Sequence, residues 1–277
     1  MSTILLPQTI GDGRIDIFLK LLRLSQGASK ENEICLDWRR TLHITPAGEA
    51  VLAVLFDTFL EQKTKIKNIN ILKKLSRLPV VKNLLKVGQF KELPNPGIHD
   101  FETTERILKG ATNSIELSFT ESLREKFFDT LSEELLFACT LTINELMQNS
   151  VDHSTAERYY LYAGLWKGEF HIGLLDMGIT IPAKLTQKYA CEDDLAFLEL
   201  ALQKGSSTRR IRTGGFGLYY FFEFLKESLG KLTIVSRNAQ IRRYFKTRKS
   251  QKNLLKYPLH GTWCFARFPL EKNNAKN

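Results

Sequence analysis

NELMQNSVDH, residues 144–153, is the stretch of sequence on which the assignment of the fold depends. It stands near the end of a segment, residues 121–151, that is dominated by helix formers and has apolar residues at helical spacing. At about 100° per residue, Glu145, Asn149 and Asp152 fall within one sector of such a helix. The segment therefore predicts one long helix, or two, with a polar stripe aimed at one place.

The residue types on this stripe suit a site for a phosphorylated ligand. A carboxylate such as that of Glu145 can orient or deprotonate a nucleophile. The amide oxygen of Asn149 is a suitable hard ligand for Mg²⁺, which takes few protein ligands together with phosphate and water. A solvated helix face is the alternative interpretation, and the stripe alone does not decide between the two.

A second motif, LLDMGITIP, spans residues 174–182 and places one aspartate at the end of an apolar strand. The carboxylate of Asp176 can accept the amino hydrogen of an adenine. Gly178 allows the backbone to approach the base because no Cβ stands between them. The same string is also typical of an ordinary exit from a strand into a loop.

The third motif, TGGFGL, spans residues 213–218 and opens an apolar helix. Glycines before a helix expose backbone N–H groups at the positive end of the helix dipole, so such a turn can hold phosphates. Upstream, Thr208 and Arg209 supply a hydroxyl and a guanidinium group suited to a terminal phosphate. The turn is neither a Walker loop nor a dinucleotide fingerprint, because it lacks G-K-[ST] and follows a polar segment.

In this order and spacing the three motifs resemble the N, G1 and G2 boxes of the GHKL ATPases. This superfamily includes the ATP sites of gyrase, heat-shock chaperones, histidine kinases and mismatch-repair proteins. The resemblance covers roughly residues 101–270 and is closest to stand-alone bacterial ATP-binding proteins and anti-sigma-factor kinases. It implies a Bergerat-type α/β sandwich, with a mixed sheet and helices on one face, that binds ATP and Mg²⁺.

The resemblance also implies roles for particular residues. Glu145 corresponds to the catalytic acid, Asn149 to the magnesium ligand and Asp176 to the aspartate that recognises adenine. The implied ATP-binding residues are Asn149, Asp176, Gly178, Thr208, Arg209, Gly214, Gly215, Phe216, Gly217 and Leu218. Residues 191–212 would form a mobile lid over the nucleotide. Thr180 stands where the G1 box usually has a second glycine, which predicts an altered turn near the adenine.

The segment KELPNPGIHD, residues 91–100, has two prolines and a glycine and is the best linker in the chain. We therefore predict a small α/β domain over residues 1–90 and an ATP-binding domain over residues 91–277. Within the first domain, strands and helices are predicted in the order β-α-β-α. The fold class expected for the chain is α+β.

The first domain resembles the STAS domains, the fold of the anti-sigma-factor antagonists. The resemblance lies in ICLD, residues 34–37, followed by ITPAG, residues 44–48, at the start of a helix. In phosphorylatable members a serine stands close before that glycine, whereas here only Thr45 offers a hydroxyl. We therefore do not expect this chain to phosphorylate its own first domain. An unrelated small α/β adaptor is the alternative.

Further elements are predicted between and after the motifs. Residues 159–166 and 169–176 have the pattern of two strands in an antiparallel hairpin. A helical, polar stretch is predicted over residues 182–204, and strands over residues 231–236 and 262–268. The basic residues between Arg242 and Lys252 are interpreted as a solvated loop, because runs of charge usually face water.

Composition limits the function classes. The four cysteines lie far apart and form no C-x-x-C pair, which fits a reducing cytoplasm. The apolar runs are too short to cross a bilayer, and the N-terminus has no basic region or cleavage site for export. The expectation is a cytoplasmic protein without membrane insertion. The net charge of +10 favours polyanionic partners but does not identify one.

The leading hypothesis is a bacterial regulatory protein that binds Mg-ATP and phosphorylates or switches a protein partner, as an ATPase or protein serine/threonine kinase. The alternative is a nucleotide-gated protein-binding module with little or no turnover. A sensor histidine kinase is disfavoured because no helical segment carries a phosphoacceptor histidine. A nucleic-acid clamp is disfavoured because no transducer domain follows the third motif. A homodimer is compatible with the sequence.

Overall fold

The computed structural model of the chain describes residues 2–27, 33–87, 101–103, 106–112, 114–153, 158–206 and 217–270. Helices and strands occur in both halves, so the predicted α+β class is confirmed at this level. The predicted domain boundary, at residues 90 and 91, lies outside the described residues. Among the described helices, none combines the length and the apolar composition that crossing a membrane requires.

The first half of the chain alternates short strands with helices. Its elements are β1 (Ser2–Leu5), β2 (Thr9–Ile10), α1 (Ile15–Gly27), β3 (Glu33–Asp37), β4 (His43–Ile44), α2 (Pro46–Glu61), β5 (Lys65–Ile69), α3 (Lys73–Ser76) and α4 (Pro79–Val87). The strands β1, β3 and β5 form a parallel sheet in the order β1-β3-β5. The predicted β-α-β-α series is present as β3, α2, β5 and α4, and β1 and α1 precede it.

The second half contains a larger sheet and the remaining helices. Its elements are β6 (Phe101–Thr103), β7 (Arg106–Thr112), α5 (Leu117–Phe127), α6 (Glu133–His153), β8 (Arg158–Trp166), β9 (Glu169–Asp176), α7 (Ile181–Leu185), α8 (Asp194–Ala201), α9 (Gly217–Glu227), β10 (Lys231–Tyr244) and β11 (Lys249–Pro269). The predicted long helical segment is thus two helices, α5 and α6. The predicted hairpin of β8 and β9 is confirmed.

The six strands β6 to β11 form one sheet in the order β10-β11-β9-β8-β7-β6. Every pairing that the structure describes in this sheet is antiparallel, so the prediction of a mixed sheet was wrong. Two of the pairings follow from the hairpins β8–β9 and β10–β11, because a hairpin reverses the direction of the chain. Among the described strands, parallel pairing occurs in the first half alone.

Both faces of the six-stranded sheet are covered. Side chains of successive strand residues point to opposite faces. Leu161 and Leu174 pack with helices α5, α6, α8 and α9 on one face. Tyr160 and Leu175 instead join the core formed with α1 and α2. The two halves of the chain therefore share a hydrophobic core across the back face of the sheet, which was not predicted.

Helix α2 is buried along nearly its whole length and packs on β7, β8 and β9 of the six-stranded sheet. It begins after Thr45, whose Oγ1 accepts a hydrogen bond from the Gly48 N–H at 3.1 Å. Pro46 suits the first helical turn because its missing N–H would have no partner within the helix. Gly48 cannot carry a side chain, since a Cβ there would lie 2.2 Å from the carbonyl oxygen of Ile10.

Three acidic side chains of α2 bind basic and phenolic groups of the larger sheet. Glu49 pairs with Arg106 of β7. The Tyr160 hydroxyl donates to Asp57 Oδ2 at 2.5 Å. Arg158 lies 3.3 Å from Asp57 and also pairs with Glu61. Glu49 and Asp57 are 3% and 2% exposed, so burial of their charges depends on these partners.

The β10–β11 hairpin is longer than predicted and strongly bent. The pairing shifts register on both sides of Arg237, which has a positive φ of 55°. Beyond the bend the ribbon returns towards its own base, where the Phe245 N–H donates to the Gly230 carbonyl oxygen at 3.0 Å. The predicted strands over residues 231–236 and 262–268 are the part of the ribbon next to the rest of the sheet.

The basic residues of this ribbon are not all in a solvated loop, as the sequence had suggested. Arg242 donates to the carbonyl oxygen of Gly13 at 2.8 Å. Arg243 and Lys252 lie 2.8 Å and 2.7 Å from Glu199 of α8. These contacts attach the ribbon to the first half of the chain and to the helical face.

Candidate functional site

Asp176 ends β9 at the junction of three strands. In the register of the sheet it lies between Tyr159 of β8 and Thr262 of β11. Because side chains alternate along a strand, its carboxylate is on the same face as Leu174, the face covered by α6. The side chain is 5% exposed, and Oδ1 accepts a hydrogen bond from the Gly178 N–H at 2.9 Å.

Two hydroxyl side chains continue this position across the neighbouring strands. Thr262 pairs with Asp176 on one side and with Ser236 of β10 on the other. The Ser236 and Thr262 hydroxyl oxygens are 2.9 Å apart, and Ser236 also accepts from the Ile181 N–H at 2.9 Å. Asp176, Thr262 and Ser236 are called the polar row below. It closes an otherwise apolar sheet face at one edge.

The hydroxyls of the polar row were not among the predicted site residues. The signal available was weak: a Ser or Thr at the inward-facing position where an apolar strand ends. Their proximity to Asp176 depends on strand pairing between residues far apart in sequence. Periodicity within one segment does not specify such pairing.

Gly261 holds the loop after Asp176 against β11. Its φ is +119°, and a Cβ at this position would lie 2.1 Å from the Asp176 carbonyl oxygen and 2.6 Å from the Met177 Cα. Both the backbone conformation and the close approach therefore require glycine. The backbone of the second motif is fixed by a residue 85 positions later in the chain.

We expect Gly261→Ala to lower the free energy of unfolding by about 2–4 kcal/mol, because it combines backbone strain with a clash. Urea denaturation of the purified protein measures this loss. Gly168→Ala is the matched control, since Gly168 also has a positive φ, of 74°, but open space around its Cβ position. Equal losses in the two variants would contradict the role given to the clash.

The part of α6 that carries the first motif lies at the same edge of the sheet. Leu146 and Met147 pack in the core together with Leu174 and Tyr159. Five peptide bonds join the end of α6 at His153 to the start of β8 at residue 158, a span of at most about 18 Å. Because β8 begins beside Asp176, the last turns of α6 lie near the polar row.

The predicted residues of α6 differ in exposure. Asn149 is partly buried, whereas Glu145 and Asp152 are exposed. Asp152 accepts a hydrogen bond from the Gln148 side chain at 2.6 Å, so it belongs to the helix surface. Asn144, which was not predicted as a site residue, has a buried side-chain oxygen with no hydrogen-bond partner in the described part of the chain.

The predicted phosphate-binding segment is described only in part. Thr208, Arg209, Gly214, Gly215 and Phe216 lie outside the described residues. Gly217 is the first residue of α9, and Leu218 packs on the core of the helical face. Helix α9 contacts α6. The helix that follows the Gly-rich motif is thus beside the helix that carries Glu145 and Asn149.

Thr180 has a defined structural role where a second glycine was expected. Its φ and ψ are −80° and 154°, an extended conformation that any residue adopts. Its Oγ1 accepts a hydrogen bond from the Ala183 N–H at 3.2 Å and caps α7. The turn after Gly178 is therefore shaped by a helix start.

The first half of the predicted lid is attached to the core. Helix α8 buries Phe197 and Leu198. Asp194, at its start, is 8% exposed and lies 3.3 Å from the Arg237 guanidinium group. These contacts hold α8 in place. The prediction of a mobile lid over residues 191–212 is therefore wrong for the part that forms α8. Residues 207–212 lie outside the described residues.

The donor set at this edge fits a nucleotide with magnesium. The polar row offers a carboxylate and hydroxyls to a base, and Asn149 offers an amide oxygen to Mg²⁺. No group of three or more His, Cys, Asp or Glu side chains suited to a metal occurs in the described ranges. Mg²⁺ bound here would accordingly take most of its ligands from phosphate and water.

Similarity to known proteins does not add to this assignment. No model of a known protein family matches the chain, and a search of curated proteins found no match. The placement and chemistry of the side chains therefore carry the functional inference.

Proposed function

We propose that this chain binds Mg-ATP between the polar row and the last turns of α6, and uses it to phosphorylate or switch a regulatory protein partner. The observation that carries the proposal is the position of Asp176. It is an acid on the helical face of the sheet, at the edge where α6 ends, with Thr262 and Ser236 beside it. The order of the three sequence motifs gives independent support.

Each residue has a role that its position allows. Asp176 accepts a hydrogen bond from the adenine amino group, and its Oδ1 bond from Gly178 keeps the carboxylate oriented. Asn149 supplies an oxygen to Mg²⁺. Glu145, one helical turn earlier, orients the attacking hydroxyl or water. Bound ATP supplies the phosphoryl group, and its transfer depends mainly on positioning and charge neutralisation.

The surface next to Glu145 supports a protein partner. Phe137, Leu141 and Glu145 follow one another at four-residue spacing, so they share one side of α6. Phe137 and Leu141 are 58% and 51% exposed, and Phe128, after α5, is 68% exposed. Exposed apolar side chains that share one side of a helix, as Phe137 and Leu141 do, are typical of sites of protein interaction. A partner bound there would be next to the proposed catalytic acid.

The first half of the chain is proposed to have a STAS-like arrangement. Such an arrangement supports a regulatory role for the protein. Its strands β3 and β5 are parallel and are connected through α2. Thr45 is 3% exposed and caps α2, so its hydroxyl is not accessible for phosphorylation. Thr45, the one hydroxyl close before Gly48, is therefore unsuited as an acceptor. Acceptor residues are therefore proposed to lie on the partner.

A nucleotide-gated binding module with little turnover is the second candidate. The exposure of Glu145 favours it, because a carboxylate open to water is less effective at activating a nucleophile than one in a closed site. The anchored position of α8 also limits closure to the segment that follows it. In this case the nucleotide would control which partner is held.

Calorimetric titration with Mg-ATP tests the proposed function. We expect Asp176→Asn to weaken binding by about 1–3 kcal/mol, roughly 5- to 150-fold, because an amide donor then faces the adenine amino group. Asn can retain the oxygen that accepts from Gly178, so the loop should keep its structure. GTP should bind poorly to the parent, since its base has no amino group at the same place.

Asp129→Asn is the matched control, because Asp129 is exposed in the turn between α5 and α6. It should bind Mg-ATP as tightly as the parent. If Asp176→Asn also binds as tightly as the parent, Asp176 does not recognise adenine and the proposed site is wrong.

A further inference from the structure

The far part of the β10–β11 hairpin has a strand edge without a partner. Residues 249–254 of β11 pair with β10 along one edge, whereas the pairing of β11 with β9 covers residues 262–269. Within the described ranges, no further strand pairs with residues 249–254. In an antiparallel pair, alternate residues direct their N–H and C=O groups away from the partner strand. The second edge of this stretch therefore presents backbone donors and acceptors to solvent.

This edge is open along its length and is held firmly at one end. Every residue from 249 to 254 is exposed, and the apolar Leu254 is 58% exposed. Directly after it, Leu255 and Tyr257 pack against the core of the first half. Residues 249–256 are called the open edge below. A fixed strand with an unpaired edge is the surface to which an extended peptide adds as a further strand.

The hairpin carries charge of one sign. Residues 228–270 contain ten Lys and Arg residues and no Asp or Glu. Lys246, Arg248 and Lys249 stand at the turn, and Lys256 stands at the other end of the open edge. These four side chains form no ion pair with any of the described residues. Cations at both ends of an open edge attract a ligand with acidic groups.

Two other occupants fit the open edge less well. A second copy of the chain would bring the lysines of two β11 strands together, and like charges across a strand pair are destabilising. A nucleic-acid duplex would take the ribbon into its major groove, which requires the ribbon to project freely. Arg243, however, holds the ribbon to Glu199 of α8. Arg242, which points to the opposite face, holds it to the carbonyl oxygen of Gly13.

We propose that the open edge binds an extended acidic peptide of a partner protein, which adds to β11 as a further strand. Hydrogen bonds between the two backbones supply affinity. Acidic side chains near the two ends of the peptide lie beside Lys249 and Lys256, and an apolar side chain between them lies on Leu254. The inference does not rest on nucleotide binding.

Fluorescence anisotropy with labelled peptides tests the open edge on the full chain. The acidic probe has two aspartates at each end of a Val-Thr-Val-Thr-Val core. One control peptide has asparagine in place of each aspartate. The other keeps the aspartates but has an N-methyl group on every core residue, which removes the backbone donors. We expect each control to bind at least about tenfold more weakly than the acidic probe.

Two further measurements locate the bound peptide. The acidic probe should slow amide hydrogen exchange in residues 249–254, because outward N–H groups gain partners. Lys249→Glu combined with Lys256→Glu should weaken its binding by about tenfold or more, because repulsion replaces attraction at both ends. Lys20→Glu combined with Lys82→Glu changes exposed lysines of α1 and α4 and alters the net charge equally. This control should bind the probe as tightly as the parent.

The outcomes separate the possible occupants. Equal binding of the acidic and N-methylated peptides, unchanged affinity in the Lys249→Glu and Lys256→Glu variant, or no saturable binding of the acidic probe would overturn the proposal. Tighter binding of an oligothymidylate than of the acidic probe would overturn it in favour of a nucleic-acid surface. Because no ATP is present, none of these results depends on whether the chain binds ATP.

Discussion

Glu145→Ala is expected to bind Mg-ATP with nearly the affinity of the parent and to turn it over about 10²–10⁴-fold more slowly. The reason is that the Glu145 carboxylate acts on the attacking group, one helical turn away from the residue proposed to hold magnesium. Release of labelled phosphate and labelling of proteins in a cell extract, measured separately, give the turnover. Calorimetry gives the affinity.

Glu134→Ala is the matched control for this change, because Glu134 is an exposed glutamate near the start of the same helix. Its turnover should equal that of the parent. Labelled product should be free phosphate or acid-stable phosphoserine or phosphothreonine on a partner; phosphohistidine on this chain would contradict the mechanism. If the parent itself shows no turnover with any extract, the nucleotide-gated binding module becomes the better description.

Arg106→Met is expected to lower the free energy of unfolding by about 3–5 kcal/mol at neutral pH, because it leaves the buried charge of Glu49 without its partner. The guanidinium group also lies 5.4 Å from the centre of the Trp166 ring, and this contact would be lost. Urea denaturation of the two proteins measures the difference. Restoring most of the stability with Glu49→Gln in the same chain would identify the unpaired charge as the cause.

The loss in Arg106→Met should depend on pH. Burial raises the pKa of Glu49 above its ordinary value of 4.5, although Arg106 opposes this rise. A raised pKa means that the folded state favours the protonated acid. The contribution of Glu49 to the free energy of unfolding is therefore fully present below pH 4.5 and is lost as the pH rises. Without Arg106 the pKa rises further, and the difference from the parent should grow between pH 4.5 and pH 7.

Arg14→Met supplies the control for both measurements. Arg14 pairs with Asp16 on the surface, and both side chains are more than half exposed. Removing such a pair changes stability by about 1 kcal/mol or less. An equal loss in Arg14→Met and Arg106→Met would show that burial of Glu49 has no special consequence.

The hairpin of β8 and β9 illustrates what local sequence specifies. Lys167 and Gly168 have positive φ values of 50° and 74°, and a glycine beside a polar residue is typical of such a tight turn. The buried side of α6 was predictable for a similar reason, since apolar spacing fixes which side of a helix is buried. These elements depend on contacts between residues that are close in sequence.

The covered back face of the sheet shows where local sequence stops being informative. Between their end residues, the strands RYYLYAGLW (Arg158–Trp166) and EFHIGLLD (Glu169–Asp176) are apolar at every position except His171, which indicates burial on both faces. That pattern does not say what covers the second face. The answer, α1 and α2, depends on pairing across the chain, as with Glu49 and Arg106. The polar row could not be assembled from one segment for the same reason.

The long-range contacts of α2 have a consequence for biosynthesis. Asp57 and Tyr160 are 103 residues apart, so roughly 5–20 s of translation separate their synthesis at about 5–20 residues per second. During the first half of that interval the nascent chain has the acids of α2 but none of their partners, and the partners on β8 are absent until its end. A ribosome-bound chain that stops before β7 should therefore remain loosely packed around α2, and reach native protection from proteolysis only after β8 has emerged.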